Sequence, residues 1–108
     1  MDKYGHLAGD EVLKRVASVM EDVCKDSIVS RWGGEEFLIL TTEGTELIEK
    51  LRRAVEDMII ELEDQIIKVT LTAGVEIKNK DIKFNKWIVA ADEKLYIGKN
   101  NGKNRVVS

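Results

Sequence analysis

The chain has 108 residues, of which 44% are hydrophobic and 34% charged, with a formal net charge of -3 and a pI near 5.2. That length supports one domain spanning residues 1–108 with its own core, and the acidic balance excludes the basic surface of a general nucleic-acid binder, so any nucleotide has to be held by a local site. Cys24 is the only cysteine, which excludes an internal disulfide, and no window approaches the ~18 consecutive apolar residues of a membrane span, so a soluble, cytoplasmic segment without direct membrane contact is expected.

Between Leu7 and Lys25, apolar residues Leu13, Val16, Ala17, Met20, Val23 and Cys24 recur at three- and four-residue steps, the stripe of an amphipathic helix. Cys24 lies in that stripe and reads as a buried thiol. A hairpin follows, with Ser27–Trp32 and Glu35–Leu40 as strands and Gly33-Gly34 as a two-residue type I′ or II′ turn, because only glycine takes positive φ cheaply. In that register Trp32 faces Glu35, Arg31 faces Glu36, Ser30 faces Phe37 and Val29 faces Leu38. Glu36 then has a cross-strand cation in Arg31, while Glu35 is left without a partner and free to hold a metal. The competing reading is a solvated hairpin whose Glu-Glu pair keeps the turn soluble.

A second helix is expected from Thr45, as N-cap, to Leu62, with Leu47, Ile48, Leu51, Val55, Met58, Ile59 and Leu62 on one side. Ile67 to Ile77 alternates strictly, which predicts a half-buried strand. A third helix from Asn85 to Gly98 buries Trp87, Ile88, Ala91 and Leu95, with Gly98 or Gly102 as its stop, and Asn104–Ser108 makes a short last strand. The order helix, strand, strand, helix, strand, helix, strand matches an α+β, split βαβ (ferredoxin-like) arrangement that lacks its leading strand.

The run Arg31-Trp32-Gly33-Gly34-Glu35-Glu36-Phe37 resembles the signature of the GGDEF family, the diguanylate cyclases, whose Gly-Gly-Asp/Glu-Glu-Phe stands here at residues 33–37. Three further stretches match at the family's spacing. Asp2-Lys3-Tyr4-Gly5-His6-Leu7-Ala8-Gly9-Asp10 is similar to Asn-Asp-x-x-Gly-His-x-x-Gly-Asp, and Val69–Val75 to the strand after the second helix. Ala91–Tyr96 followed by Lys99–Val106 is similar to the closing segment.

The resemblance implies a nucleotidyl-cyclase-like antiparallel sheet whose leading, central strand carries a metal-binding aspartate. This sequence starts after that strand, with Met1 where the family has a guanine-contacting Asn. The domain is therefore expected to be N-terminally incomplete and to give little or no catalysis by itself. The implied reaction condenses two GTP into cyclic di-GMP with release of pyrophosphate, for bacterial second-messenger signalling. Glu35 is the implied catalytic base and metal ligand, and Glu36 supports the metal site. Two Mg²⁺ (or Mn²⁺) ions are expected per complete site. Asp10 would accept from guanine N1–H and the exocyclic amine, with Gly33 and Gly34 beside the substrate and Lys99 and Lys103 on its terminal phosphates.

Without the Gly5-His6-x-x-Gly9 context Asp10 reads as a first-turn carboxylate, and the two lysines read equally as cations at a helix C-terminus. His6 is read as a packing residue. The implied partners are GTP, a second copy forming a homodimer, and an upstream sensory or receiver domain, with no nucleic acid. Many family members carry an inhibitory Arg-x-x-Asp, five residues ahead of the glycine pair, but the window here is Cys24-Lys25-Asp26-Ser27, so no inhibitory site is expected.

A different class of function is a non-catalytic GTP-binding or dimerisation module, and an upstream Asp-x-Asp-x-Phe-Lys would decide between the two. A ferredoxin-like RNA binder fails on the acidic charge and on having six aromatic residues with no exposed strand triplet. The strands Phe37–Leu40 and Val69–Ile77 should flank the absent strand, so the chain is expected either to associate through the gap or to close it by pairing those strands directly.

Overall fold

The computed structural model describes residues 5–108, with side chains from residue 8 onward. The segment 1–4, including Met1 and most of the Asp-x-x-Gly-His match, and the His6 side chain lie outside the described residues. In chain order the elements are α1 (Gly5–Val23), β1 (Ile28–Gly33), β2 (Glu36–Leu40), α2 (Thr45–Asp57), β3 (Ile60–Leu62), β4 (Gln65–Ile67), β5 (Ala73–Gly74), α3 (Phe84–Asn100) and β6 (Val106–Val107).

The four-residue spacing of Val12, Val16, Met20 and Cys24 keeps one face of α1 and its exit turned inward, and Val12, Met20 and Cys24 are buried. Leu47, Ile48, Leu51 and Val55 do the same for α2. Met20, Cys24, Leu47, Leu51 and Val55 form one buried cluster between the two helices, covered by Val29, Phe37 and Ile39 of the hairpin and by Val69 and Leu71. A second cluster of Val12, Ile60 and Ile67 adjoins it, and Val16, Met58 and Val69 touch both. Burying each such aliphatic side chain is worth about 1.5–3 kcal/mol, so the helix pair and the two isoleucines carry most of the stabilisation.

The second helix stops at Asp57 and not at Leu62, because Met58 turns extended (φ -70°, ψ 134°). Burial decides this: Ile60 and Ile67 are 0% and 1% exposed and face each other across the antiparallel β3–β4 hairpin, which a continued helix would forbid. Thr45 is the first helical residue, and the N-cap is Gly44, which makes no side-chain capping bond. The alternation from Ile67 holds to Leu71 and then fades, with Ile77 73% exposed. Within that stretch only Ile67, in β4, and Ala73–Gly74, in β5, are ladder-paired, and the last strand shortens to Val106–Val107.

The strands form three separate two-stranded sheets, β1–β2 and β3–β4 antiparallel and β5–β6 parallel. The parallel pair follows from α3 serving as its crossover connection. Among the described residues no ladder joins β2 to the segment 69–77, so the expected direct closure of the gap does not occur.

Close backbone contact fixes α3 on β5. A Cβ at Gly74 would lie 2.1 Å from the Ala91 carbonyl oxygen and 2.4 Å from the Leu95 nitrogen, so only glycine fits. Trp87 Nε1 donates to the Glu76 carbonyl at 2.7 Å, and Lys94 Nζ pairs with Glu76 at 2.7 Å. Trp87, Ile88, Ala91 and Leu95 face this contact but are only half-buried. The helix ends where the N–H groups of Asn101 and Lys103 both donate to the Gly98 carbonyl, at 3.2 and 3.0 Å.

Candidate functional site

Strand β1 pairs with β2 one step out of the expected register: Ile28 faces Leu40, Val29 faces Ile39, Ser30 faces Leu38 and Arg31 faces Phe37. A bulge at Trp32 then sets Gly33 opposite Glu36, so Glu35 moves into the turn and Arg31 does not face Glu36. Gly33 (φ 136°) and Gly34 (φ 51°) both take the positive φ that their residue type permits. Arg31 instead braces the turn, donating from Nε and Nη2 to the Gly34 carbonyl at 3.1 and 2.8 Å.

Glu35 is exposed at the turn, and among the described residues it makes no ion pair or side-chain hydrogen bond. The cation of Glu36 comes from the other end of the chain: Lys99 Nζ, in the last turn of α3, is 3.7 Å from its carboxylate. Hairpin carboxylates and helix lysine, 63 positions apart, thus share one edge of the molecule. Both side chains are about half exposed, 48% and 54%, so water screens the pair and leaves it able to exchange for a substrate contact. Lys103 lies one turn beyond, in the reversal that follows α3.

Between α1 and the hairpin runs a cleft of about 430 Å³, lined by Asp10, Leu13, Lys14, Ala17 and Glu21 on one wall and by Val29, Arg31 and Phe37 on the other. Its volume falls in the range of small-molecule sites, and its lining mixes apolar Leu13, Ala17, Val29 and Phe37 with charged Asp10, Lys14, Glu21 and Arg31. Asp10 stands on the helix wall, exposed. The sequence reading did not single out Lys14, Glu21 or Arg31 as cleft residues. For Lys14 and Glu21 a signal existed: positions 10, 14, 17 and 21 share one helical face with Asp10.

Among the described residues no three His, Cys, Asp or Glu side chains gather so as to hold a metal ion. The donor set at the turn is two adjacent carboxylates. That fits Mg²⁺ as it is held on nucleotides, by one or two carboxylates with substrate phosphate oxygens completing the shell, and not an all-protein cage. A second cavity, at the acidic β3–β4 tip of Glu61, Glu63 and Asp64, lies apart from these residues in the fold.

The model of the diguanylate cyclase, GGDEF domain matches residues 1–105. The chain is 38% identical over 112 residues to diguanylate cyclase A of Treponema denticola, covering 97% of this chain and 30% of that protein. It therefore spans less than a third of that relative. Among solved structures, the GGDEF domain of DgcB from Caulobacter crescentus, in complex with c-di-GMP, superposes with a TM-score of 0.90 at 28% identity, covering 98% of this chain and 67% of that one. The active GGEEF domain of a diguanylate cyclase from Vibrio cholerae gives 0.84 at 31% identity, covering 98% and 71%. Signature turn, opposed lysine, fold and matched length agree, and the chain belongs to the GGDEF domain family of diguanylate cyclases.

Proposed function

We propose that the chain provides one GTP-binding half of a diguanylate cyclase centre, in which two copies face each other and condense two GTP into cyclic di-GMP and pyrophosphate. The observation that carries this reading is the juxtaposition of a cleft bearing Asp10 with a glycine turn whose two carboxylates share an edge with Lys99. Guanine offers two adjacent donors that the Asp10 carboxylate can accept together. Gly33 and Gly34, having no Cβ, let the phosphates approach the turn backbone, and Lys99 and Lys103 offset charge on the terminal phosphates.

Glu35, unpaired at the turn, takes the proton of the ribose 3′-hydroxyl. The 3′-oxygen bonds to the α-phosphorus of the facing GTP as the bond to pyrophosphate breaks. Mg²⁺ or Mn²⁺, two per complete site, held by Glu35 with support from Glu36, would supply charge neutralisation at phosphorus. One chain binds one GTP, so the stoichiometry calls for a homodimer, and control of dimer geometry by an upstream sensory or receiver domain would regulate it.

Calorimetric titration tests the binding half of the proposal. GTP should bind more tightly than ATP, and Asp10→Ala should erase the difference; equal affinities in the unaltered chain would refute the base assignment. For the chemistry, the 108-residue chain should give little cyclic di-GMP, and a protein carrying the preceding strand should give it in a Glu35-dependent manner. Robust turnover by the short chain would show that its own ligand set suffices. Binding without turnover in the longer protein would favour the non-catalytic module.

A further inference from the structure

Arg52, in the middle of α2, lies outside the cleft and the glycine turn, yet all three of its guanidinium nitrogens are engaged and its side chain is only 15% exposed. Nε and Nη2 donate to Glu49 Oε1 at 2.8 and 2.6 Å, and Nη1 donates to Asn104 Oδ1 at 2.9 Å, across 52 positions of sequence. The same guanidinium lies 3.6 Å from Glu56 Oε2, which accepts a hydrogen bond from Asn104 Nδ2. The Asn104 N–H donates to Thr72 Oγ1 at 3.1 Å. Asn104 is thus held on three sides, by two residues of α2 and by the segment leading into β5.

The backbone there is unusual. Gly102, Lys103 and Asn104 follow one another with φ of 111°, 60° and 46°. Glycine takes such angles freely and asparagine tolerates them, but a lysine does so only against a steric penalty between its Cβ and the backbone. A strained residue of this kind persists only where its surroundings over-determine it, and such strain concentrates at functional sites. Here the surroundings are the Arg52–Glu56–Asn104 clamp on one side and the Lys103 N–H bond to Gly98 on the other.

We propose that Asn104, gripped by Arg52 and Glu56, is a positioning residue for the terminal phosphates of the substrate: it locks the left-handed turn from which Lys103 departs, one turn beyond Lys99. This rests on the GTP-binding reading above. Lysine's four-carbon stem is flexible, so a backbone free to leave the left-handed region would spread the ammonium over many positions, and the clamp removes that freedom before substrate arrives. It also gives α2, which contributes nothing to the cleft lining, a stake in substrate affinity.

The chain is titrated with Mg·GTP and, separately, with guanosine, which reports the base end alone. Asn104→Gly keeps the positive φ at no steric cost but drops the clamp, and Arg52→Leu drops it from the other side; Lys103→Ala is the reference. The clamp predicts that both variants lose about tenfold in GTP affinity, the loss of roughly one charge-assisted hydrogen bond, with guanosine affinity unchanged. It also predicts that Asn104→Gly adds nothing in a Lys103→Ala background. Amide exchange at Lys103 should speed up in both variants. Parallel losses for GTP and guanosine, or unchanged GTP binding with Lys103→Ala impaired, would overturn the inference and leave a structural clip. If the unaltered chain binds GTP no better than guanosine, the assignment of Lys99 and Lys103 to phosphates fails first and this inference with it. Should Arg52→Leu not fold, Asn104→Gly alone decides.

Discussion

Replacing Gly74 by alanine puts a methyl group where α3 already stands. The new Cβ would lie 2.1 Å from the Ala91 oxygen, 2.4 Å from the Leu95 nitrogen and 3.0 Å from the Lys94 carbonyl carbon. All three are backbone atoms, so no side chain can swing aside and the helix must retreat as a body. Restoring an ordinary separation of about 3.5 Å asks for a displacement of roughly 1.4 Å from the 2.1 Å contact. Overpacking of this kind costs about 1–3 kcal/mol. The retreat also stretches the Trp87–Glu76 and Lys94–Glu76 contacts, both 2.7 Å, which puts Gly74→Ala at about 3 kcal/mol, the top of that range.

The control is Gly98→Ala, whose Cβ meets only side-chain atoms, Thr72 Cγ2 at 2.8 Å, Val107 Cγ2 at 3.3 Å and Arg105 Cγ at 3.6 Å. There side chains can give where a backbone cannot, and the gain in helix propensity of about 1 kcal/mol offsets part of the crowding. Urea unfolding followed by circular dichroism should therefore show the larger loss for Gly74→Ala, by about 1 kcal/mol or more. Because α3 carries Lys99, a displacement of order 1 Å should also weaken GTP binding at a site whose contacts are that sensitive to distance. A Gly74→Ala variant as stable as the unaltered chain, or as stable as Gly98→Ala, would refute the claim that backbone contact fixes this helix.

Two other outcomes follow from side chains already described. Cys24 is 1% exposed, and burial first and the Glu43 carboxylate second push its thiol above the ordinary range; it should resist a thiol reagent at pH 8 in the folded chain and react fully in urea, and rapid labelling of the native state would contradict the packing. Glu49 is held below the usual carboxylate range, chiefly by its hydrogen bond from Arg52. A lowered folded value stabilises above the unfolded one, and that stability is lost as pH falls through the folded value. Glu49→Gln should thus flatten the decline of stability below the ordinary glutamate range, by a modest amount for a side chain 35% exposed, and identical acid profiles would show that the pair contributes nothing.

The positions of all three helices and of the glycine hairpin were legible because apolar spacing and a Gly-Gly pair are local signals. The hairpin register was not. The expected register took Gly33-Gly34 as the loop, whereas the loop is Gly34-Glu35 and a bulge at Trp32 follows it; together they move every pair beyond the bulge by one residue, and Arg31 meets a carbonyl in place of Glu36. The end of α2 was hidden for a similar reason. Met58, Ile59 and Leu62 continue the helical stripe, and only the burial of Ile60 against Ile67, a pairing visible in three dimensions, makes the chain extend. At the candidate site, the family motifs singled out Glu35, Glu36, Asp10, Lys99 and Lys103 one by one, but the Lys99–Glu36 approach and the Arg52–Asn104 clamp join residues 63 and 52 positions apart, which no local pattern encodes.

The three two-stranded sheets have a consequence for how the site can be controlled. Backbone hydrogen bonds lock distances within each pair of strands, so the carboxylates travel with the β1–β2 hairpin and the lysines travel with α3 and its β5–β6 anchor. No ladder among the described residues ties one body to the other. Their separation is set by side-chain packing through the core, by the Arg52 and Glu56 contacts that hold Asn104 to α2, and by one screened ion pair, which are softer springs than a ladder. A small shift in that packing alters the distance between the hairpin carboxylates and the α3 lysines without unfolding either part, at a cost set only by the difference between two packings.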